Sequence, residues 1–399
     1  MLLFLIRLWL GPLPKEEIFP ENPPNFFLHW FAHPIKRRLA KYYLWLLQKF
    51  FGLKIIALTG SAGKTTTKNL LHAALSAAGS TVSTADNVTS TYNIPSTILS
   101  TLPGTKYLIL EMGVEYLGDM DFYTWLARPD IAILLNVNRT HTHFLGSVES
   151  VAREKSKLFA ALPTTGIAII NSDDQLVKRP INIKTLSFGF HSGSFCQIIS
   201  TGLTKDLTTK VNLIINQQPA SLTLKLIGEH LAGNAAAAVT AAYAVGVSPD
   251  ICTPGLTTVS PPPHRLQPIR LQNGCLIIDD VYNANPLAVT HSLETLVSLT
   301  KICKATPVFV FGQMNELGQY EQPAHREIGL LVKKLGIKNF FCFGSATKYS
   351  ISAAGFGRYF TSKPALITHL KKFLVSRHIA LIKASRSFKF EEIVEALKT

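Results

Sequence analysis

The chain is short of acid. Its 399 residues hold 25 aspartates and glutamates against 40 lysines and arginines, a net charge of +15. That surplus predicts anionic partners, namely nucleotides, phosphorylated substrates, a membrane surface or nucleic acid, and does not choose among them. Cysteine is also scarce. Cys196, Cys252, Cys275, Cys303 and Cys342 are scattered, with no CxxC. This excludes a disulfide framework and predicts reduced core thiols in a cytoplasmic protein, without a zinc site. No apolar run approaches the roughly 20 residues that cross a bilayer. The most apolar stretch, residues 2–10, has no basic leader or small-residue cleavage site, so a secretory signal is not expected. Internal repeats and low-complexity tracts are missing as well. With 47% apolar and 16% charged residues the chain is globular, and long enough for two or three domains.

What is present begins with Leu53-Lys54-Ile55-Ile56-Ala57-Leu58-Thr59, an apolar run of strand type. It ends in Gly60-Ser61-Ala62-Gly63-Lys64-Thr65-Thr66, and an apolar helical pattern (Leu70, Leu71, Ala74, Leu75) follows. Strand, glycine loop, Lys-Thr and helix in that order predict a phosphate-binding loop, though fewer residues separate the glycines than in the common pattern. The glycines let backbone N–H groups turn toward phosphate oxygens, and the helix offers its positive end to the same anion. Lys64 is expected to reach the outer phosphates, and the Thr65 hydroxyl to hold Mg²⁺.

Strand-like runs recur at 54–58, 107–111, 131–136 and 166–170, with helical patterns at 65–78 and 148–161. The alternation predicts a parallel sheet covered on both faces, with its ligand at the carboxyl ends of the strands. Over 184–227 shorter strand-like runs predict an antiparallel edge, and an alanine-rich helix follows at 231–246. The segment 253–264, with Pro254, Gly255 and Pro261-Pro262-Pro263, reads as a linker. Beyond it, strands near 275–279, 307–311, 339–343 and 379–383 alternate with helices near 286–299, 324–335, 365–375 and 389–398. The fold class is therefore α/β. A central P-loop parallel-sheet ATPase domain spans 53–260, and a smaller, Rossmann-like domain spans 261–399.

Residues 1–52 form an N-terminal extension. Within it, 11–34 is rich in proline (Pro12, Pro14, Pro20, Pro23, Pro24) and aromatics, and reads as an extended segment. Residues 35–51 read as an amphipathic helix, with Leu39, Tyr43, Leu46, Leu47 and Phe50 on its apolar face and Lys36, Arg37, Arg38, Lys41 and Lys49 elsewhere. Its expected place is against the next domain, with the basic side in water. The alternative is a peripheral membrane contact through residues 1–51, basic face on anionic lipid.

Polar clusters sit at the strand ends. Glu111, ending a buried strand near the loop, suits a Mg²⁺ ligand. His141 and His143 have the spacing of metal ligands but no thiol or carboxylate neighbour, and exposed loop histidines fit equally well. Arg153-Glu154-Lys155-Ser156-Lys157 lies inside a helix and reads as a solvated face. Past the linker, Arg265 and Asp279-Asp280 are the groups that a second domain would bring to clamp a nucleotide.

These residues resemble the ATP-dependent Mur ligases of peptidoglycan synthesis. The resemblance covers about 53–399. It rests on Thr59–Lys68, Glu111-Met112-Gly113, His141 with Gly146-Ser147, Gly228-Glu229-His230 with Asn234, and His264-Arg265-Leu266. It continues through Asp279-Asp280-Val281-Tyr282-Asn283-Ala284-Asn285-Pro286, Gly312–Gly318 with His325, and Lys383-Ala384-Ser385-Arg386. Within the family these motifs are closest to the branch that joins D-alanyl-D-alanine to UDP-N-acetylmuramoyl-tripeptide.

The resemblance implies an ADP-forming amide ligase working through an acyl phosphate. It implies ATP binding by Gly60, Ser61, Ala62, Gly63, Lys64, Thr65, Thr66, Asn234, Arg265 and Asp280. Thr65 and Glu111 would hold one Mg²⁺. His141, with a carbamylated Lys155 fourteen residues later, would hold a second, and Lys64, His141 and Lys155 would be the catalytic group. Asn283, Asn285, Met314, Glu316, Leu317 and Ser385 would face the dipeptide. It further implies a cytoplasmic monomer with no nucleic-acid partner.

The chain departs from the family at Asn93, Leu231, Gln313, Ala384 and Phe390, mostly at substrate positions. In place of the family's domain for the UDP end it has residues 1–52, which do not read as that domain. Two further readings follow. One is a related ligase acting on another carboxylate, including a lipid-linked one. The other is a P-loop ATPase with a nucleic-acid partner, against which the chain has no aromatic-interleaved basic motif.

Overall fold

A computed structural model describes residues 2–20, 25–86 and 88–398. Pro23 and Pro24 lie outside the described residues. Strands β1 (Lys54–Thr59), β2 (Thr81–Ser83), β3 (Tyr107–Glu111), β4 (Ile131–Leu134), β5 (Ile167–Asn171), β6 (Lys184–Gly189), β7 (Cys196–Leu203), β8 (Thr209–Ile215) and β9 (Gln218–Leu224) form one sheet. Its order is β2-β3-β1-β4-β5-β6-β7-β8-β9. The pairs from β2 to β7 are parallel, and β7-β8-β9 is an antiparallel edge. The antiparallel part expected over 184–227 thus begins later, because β6 still pairs in parallel with β5.

The unbroken apolar run of β1 has a direct cause. Its side chains alternate between two cores. Ile56 and Leu58 face the core beneath α4 (Lys64–Ser76) and the helix Leu231–Ala244. Ile55 and Ala57 face the core beneath the helices Ser90–Ser100, Asp119–Leu126 and Val148–Ala160. The alanines of Leu231–Ala244 are buried nearly all round, so their small side chains let that helix lie close to both sheet and α4.

A second sheet follows. Its strands are β10 (Gln267–Arg270), β11 (Leu276–Asp279), β12 (Thr306–Gly312), β13 (Asn339–Phe343), β14 (Arg358–Phe360) and β15 (His378–Lys383). The order is β10-β11-β15-β12-β13-β14, parallel except for β10 on β11. The class is α/β in both parts. The expected linker at 253–264 is shorter than its prolines suggest. Residues 253–256 close the helix Pro249–Leu256, where Pro254 is tolerated within the last turn.

The N-terminal region departs most from expectation. It holds α1 (Leu2–Leu10), α2 (Lys15–Ile18), a helical turn at Leu28–Ala32, and α3 (His33–Phe51), with Pro34 in the first turn where its missing N–H costs nothing. The segment 11–34 is therefore largely helical where described, not extended. Helix α3 does pack on the central sheet's helices, but through Arg37, Ala40, Leu44 and Leu47. Of the expected apolar face, Leu47 is buried and Tyr43 bonds the Thr101 carbonyl, whereas Leu39, Leu46 and Phe50 face solvent.

Candidate active site

The ends of strands from both sheets open into one cavity of about 780 Å³. Its floor is the loop 60–63 between β1 and α4. Asn136, just after β4, holds the loop's shape. Its Oδ1 accepts from Ala62 N at 2.8 Å, and its Nδ2 donates to Ala62 O at 3.0 Å. Ser61 Oγ accepts from Asn138 N at 2.8 Å. Gly63 has φ +80°, and a Cβ there would meet Asn234 Nδ2 at 2.8 Å, so the position needs glycine twice over. Asn234 Nδ2 donates to the Gly63 carbonyl at 3.2 Å, tying the loop to the alanine-rich helix.

Two lysines, the half-buried Lys64 and the buried Lys155, converge beneath the loop. Lys64 Nζ donates to Gly60 O at 2.9 Å, and Lys155 Nζ approaches the same oxygen at 3.4 Å. Burial pulls the Lys64 amine below the ordinary lysine range, with Glu111 opposing the shift. Burial, reinforced by the charge on Lys64, pulls Lys155 far lower. Lys155 is 1% exposed. The basic run 153–157 is therefore not a solvated face; helix Val148–Ala160 turns Lys155 inward while Arg153 stays outside.

Beside the lysines, Thr65 Oγ1 donates to Glu111 Oε1 at 3.0 Å. Lys68, also buried, pairs with Asp86 and lies 3.8 Å from Glu111 Oε2. A hydroxyl and a carboxylate side by side are the hard oxygen donors Mg²⁺ prefers. No group of three His, Cys, Asp or Glu converges among the described residues. Such a set suits an ion that keeps water and takes phosphate oxygens for its other ligands.

The second sheet closes the cavity from above. Asp280, after β11, accepts from Lys383 Nζ and from Ser292 Oγ, the latter at 2.6 Å. The Arg265 guanidinium lies 4.0 Å over the Tyr282 ring. Glu316, with φ +63°, places its Oε2 2.8 Å from His141 Nδ1 across the two parts of the molecule. That contact holds Glu316 below the usual carboxylate range. Thr142 Oγ1 donates to Leu317 O at 3.0 Å, and His143 N to Glu316 O at 3.2 Å, so the loop after β12 grips the loop after β4.

Not every expected residue reaches the cavity. Ser61, Ala62, Gly63, Lys64, Thr65, Thr66, Glu111, His141, Asn234, Arg265, Asp280, Asn283, Asn285, Glu316 and Leu317 line it. Gly60 and Lys155 meet beneath the loop and do not line the cavity. Met314 packs in the core of the second sheet, and Ser385 Oγ accepts from Asn315 N at 2.8 Å; neither lines the cavity. Both shape the floor of the Asn315–Leu317 loop instead. Asn285 caps the helix Pro286–Cys303 through Ala288 N at 2.9 Å. Among the departures, Asn93 and Leu231 line the cavity, whereas Gln313, Ala384 and Phe390 do not.

Several residues enter that no spacing marks out. Glu17, from α2, reaches the cavity rim and accepts from Thr91 Oγ1 at 2.7 Å. Glu115 and Tyr123 lie nearby. Asp119 is 1% exposed, and its Oδ2 accepts from the Glu115 and Tyr116 amides at 2.7 and 2.8 Å. Its Oδ1 has no partner among the described residues. Burial, aided by Glu17, pushes the Asp119 carboxyl up to about 8.

A phosphate loop under a parallel sheet, roofed by a second α/β unit whose residues enter the same cavity, defines a two-part nucleotide-using enzyme. Similarity to known proteins makes the class specific. Residues 58–242 match the model of the Mur ligase middle domain, and residues 264–386 that of the Mur ligase glutamate ligase domain. The chain belongs to the Mur ligase family.

It is 32% identical over 357 residues to the UDP-N-acetylmuramoyl-tripeptide–D-alanyl-D-alanine ligase of Escherichia coli strain K12, covering 86% of this chain and 77% of that one. It superposes on a crystal structure of MurF from Acinetobacter baumannii with a TM-score of 0.82, at 26% identity over 92% of this chain and 80% of that one. MurF from Thermotoga maritima, solved in complex with ADP, shares the fold with a TM-score of 0.82 at 24% identity, over 92% and 83% of the two chains.

Proposed function

We infer that this chain is an ATP-dependent, ADP-forming amide ligase that joins D-alanyl-D-alanine to UDP-N-acetylmuramoyl-tripeptide. The observation that carries the reading is the convergence of Lys64, Thr65, Glu111, His141 and Glu316 from both sheets on one cavity.

In this reading the γ-phosphate of ATP lies over the loop, where the backbone N–H groups, the start of α4 and Lys64 face its oxygens. Asn234, Arg265 and Asp280 hold the rest of the nucleotide. The tripeptide carboxylate attacks Pγ, the bond to the bridging oxygen breaks, and ADP leaves. The dipeptide amine then attacks the acyl-phosphate carbon. The tetrahedral intermediate expels inorganic phosphate, and the amine gives up a proton as the amide forms. Lys64 would offset the negative charge that otherwise keeps carboxylate and phosphate apart. Asn283, Asn285, Glu316 and Leu317, which line the cavity, would meet the dipeptide.

Thr65 and Glu111 would hold one Mg²⁺, and His141 with a carbamylated Lys155 a second; bound there, the ions supply further neutralisation of phosphate oxygens. The residues present fit that group. Carbon dioxide adds only to a neutral amine, and burial keeps Lys155 neutral at pH values where a surface lysine is charged. The Asp119 charge opposes that lowering, and burial pushes the Asp119 carboxyl itself up to about 8, which weakens the opposition.

The test is product formation. With ATP, UDP-N-acetylmuramoyl-tripeptide and D-alanyl-D-alanine, mass spectrometry should show a product heavier by one dipeptide less water. ATP turnover without that product, under any pairing of the substrates, would sink the reading.

A further inference from the structure

We propose that α1, the Leu28–Ala32 turn and α3 form a docking face for an anionic lipid bilayer. The surface is unusual for a folded chain. Fifteen of the twenty-nine large apolar side chains exposed among the described residues fall within the first 51 positions. Contiguous exposure of that kind on a soluble domain marks an interaction site.

The pattern is ordered. On α3, Ile35, Leu39, Tyr42, Leu46 and Phe50 recur at helical spacing and are 40–67% exposed, on the side opposite the buried Arg37, Ala40, Leu44 and Leu47. Helix α1 adds Leu5, Leu8 and Trp9. It is fastened to α3 by Arg38, which donates to the Leu8 and Trp9 carbonyls, and to the turn by Trp9 Nε1, 2.6 Å from Trp30 O. Phe27 and Phe31, stacked at 5.8 Å between ring centres, extend the same apolar surface in the turn.

Charge selects the occupant. Helix α3 contains no acidic residue. Two of its basic groups sit beside aromatic rings along one edge of the stripe, Arg38 5.1 Å over Trp9 and Lys49 4.7 Å over Trp45; Lys41, further round the helix, lies 4.2 Å over Trp125 of the helix Asp119–Leu126. Apolar side chains in the middle, with tryptophan, tyrosine and long basic stems at the rim, are the arrangement that seats a helix at a bilayer surface. Of the region's described acids, Glu17 turns to the cavity rim, leaving only Glu16 exposed, on the short α2. No helix of the described residues is long and apolar enough to cross a membrane, so the face lies on the bilayer. This reverses the expected geometry, in which basic residues alone faced outward; the outward face is apolar with a basic rim.

The test is vesicle flotation of the full chain, with phosphatidylcholine alone and with added phosphatidylglycerol. Binding to the anionic vesicles should exceed binding to the neutral ones by more than about tenfold and weaken with salt. Leu39→Glu with Leu46→Glu should abolish it while leaving the thermal unfolding midpoint intact, because both side chains already face water. Lys49→Glu should lower it several-fold. Equal binding to neutral vesicles, no binding at all, or undiminished binding by the double variant would overturn the proposal. So would self-association of the wild type that the double variant abolishes without any vesicle binding, which would assign the face to a second copy.

Discussion

Replacing Lys64 by alanine is expected to lower turnover by about a thousandfold, the scale set by removing a preorganised cation from a phosphoryl-transfer site. The fold should survive. Lys64 is half-buried, and desolvation is the main cause of its depressed proton affinity, so its removal relieves part of that cost while leaving the loop's other ties in place. Those ties are Asn136 to Ala62, Ser61 to Asn138, and Asn234 to Gly63. The expected signature is lost activity at an unchanged or slightly raised unfolding midpoint. Activity within tenfold of wild type would mean the loop does not cradle the transferred phosphate.

Lys155→Ala is the second. Turnover should again fall by about a thousandfold, because in this account a carbamate on Lys155 helps hold the charge of the transferring phosphate. A short carboxylate such as acetate should restore part of the activity, since it can enter the space left by the side chain and present the same oxygen pair. Lys155→Arg should stay inactive, because a guanidinium does not lose its proton. Depleting carbon dioxide should slow the wild type and bicarbonate should restore it. Wild-type rates in Lys155→Ala under ambient air would remove the carbamate from the account.

Much of this site is legible in the chain itself because it depends on local chemistry. A strand, two glycines and Lys-Thr specify the loop, and the motif order carries the α/β class. What stays hidden depends on which face an element buries. Lys155 sits among Arg153, Glu154 and Lys157, a run that reads as solvated, and only the packing of Val148–Ala160 turns it under the loop. In α3 the apolar positions are so numerous that two different faces qualify. The buried one carries Ala40, whose small side chain lets Leu44 and Leu47 beside it pack against the helices below. Met314 stands in a motif with Glu316, yet its side chain belongs to the core, and spacing within a loop does not say which residues point inward. Glu17 and Asp119, 102 positions apart in the chain, meet at the same rim only through the tertiary fold.

The central claim is that a substrate carboxylate oxygen is transferred to phosphate during ligation. It is tested most directly by labelling the terminal carboxylate of UDP-N-acetylmuramoyl-tripeptide with ¹⁸O and letting the reaction run with ATP and D-alanyl-D-alanine. The account predicts that each inorganic phosphate released carries one labelled oxygen and that the label is absent from the nucleotide. Unlabelled phosphate accompanying amide formation, or label appearing in a nucleotide product, would contradict an acyl phosphate and with it the roles assigned to Lys64 and Lys155.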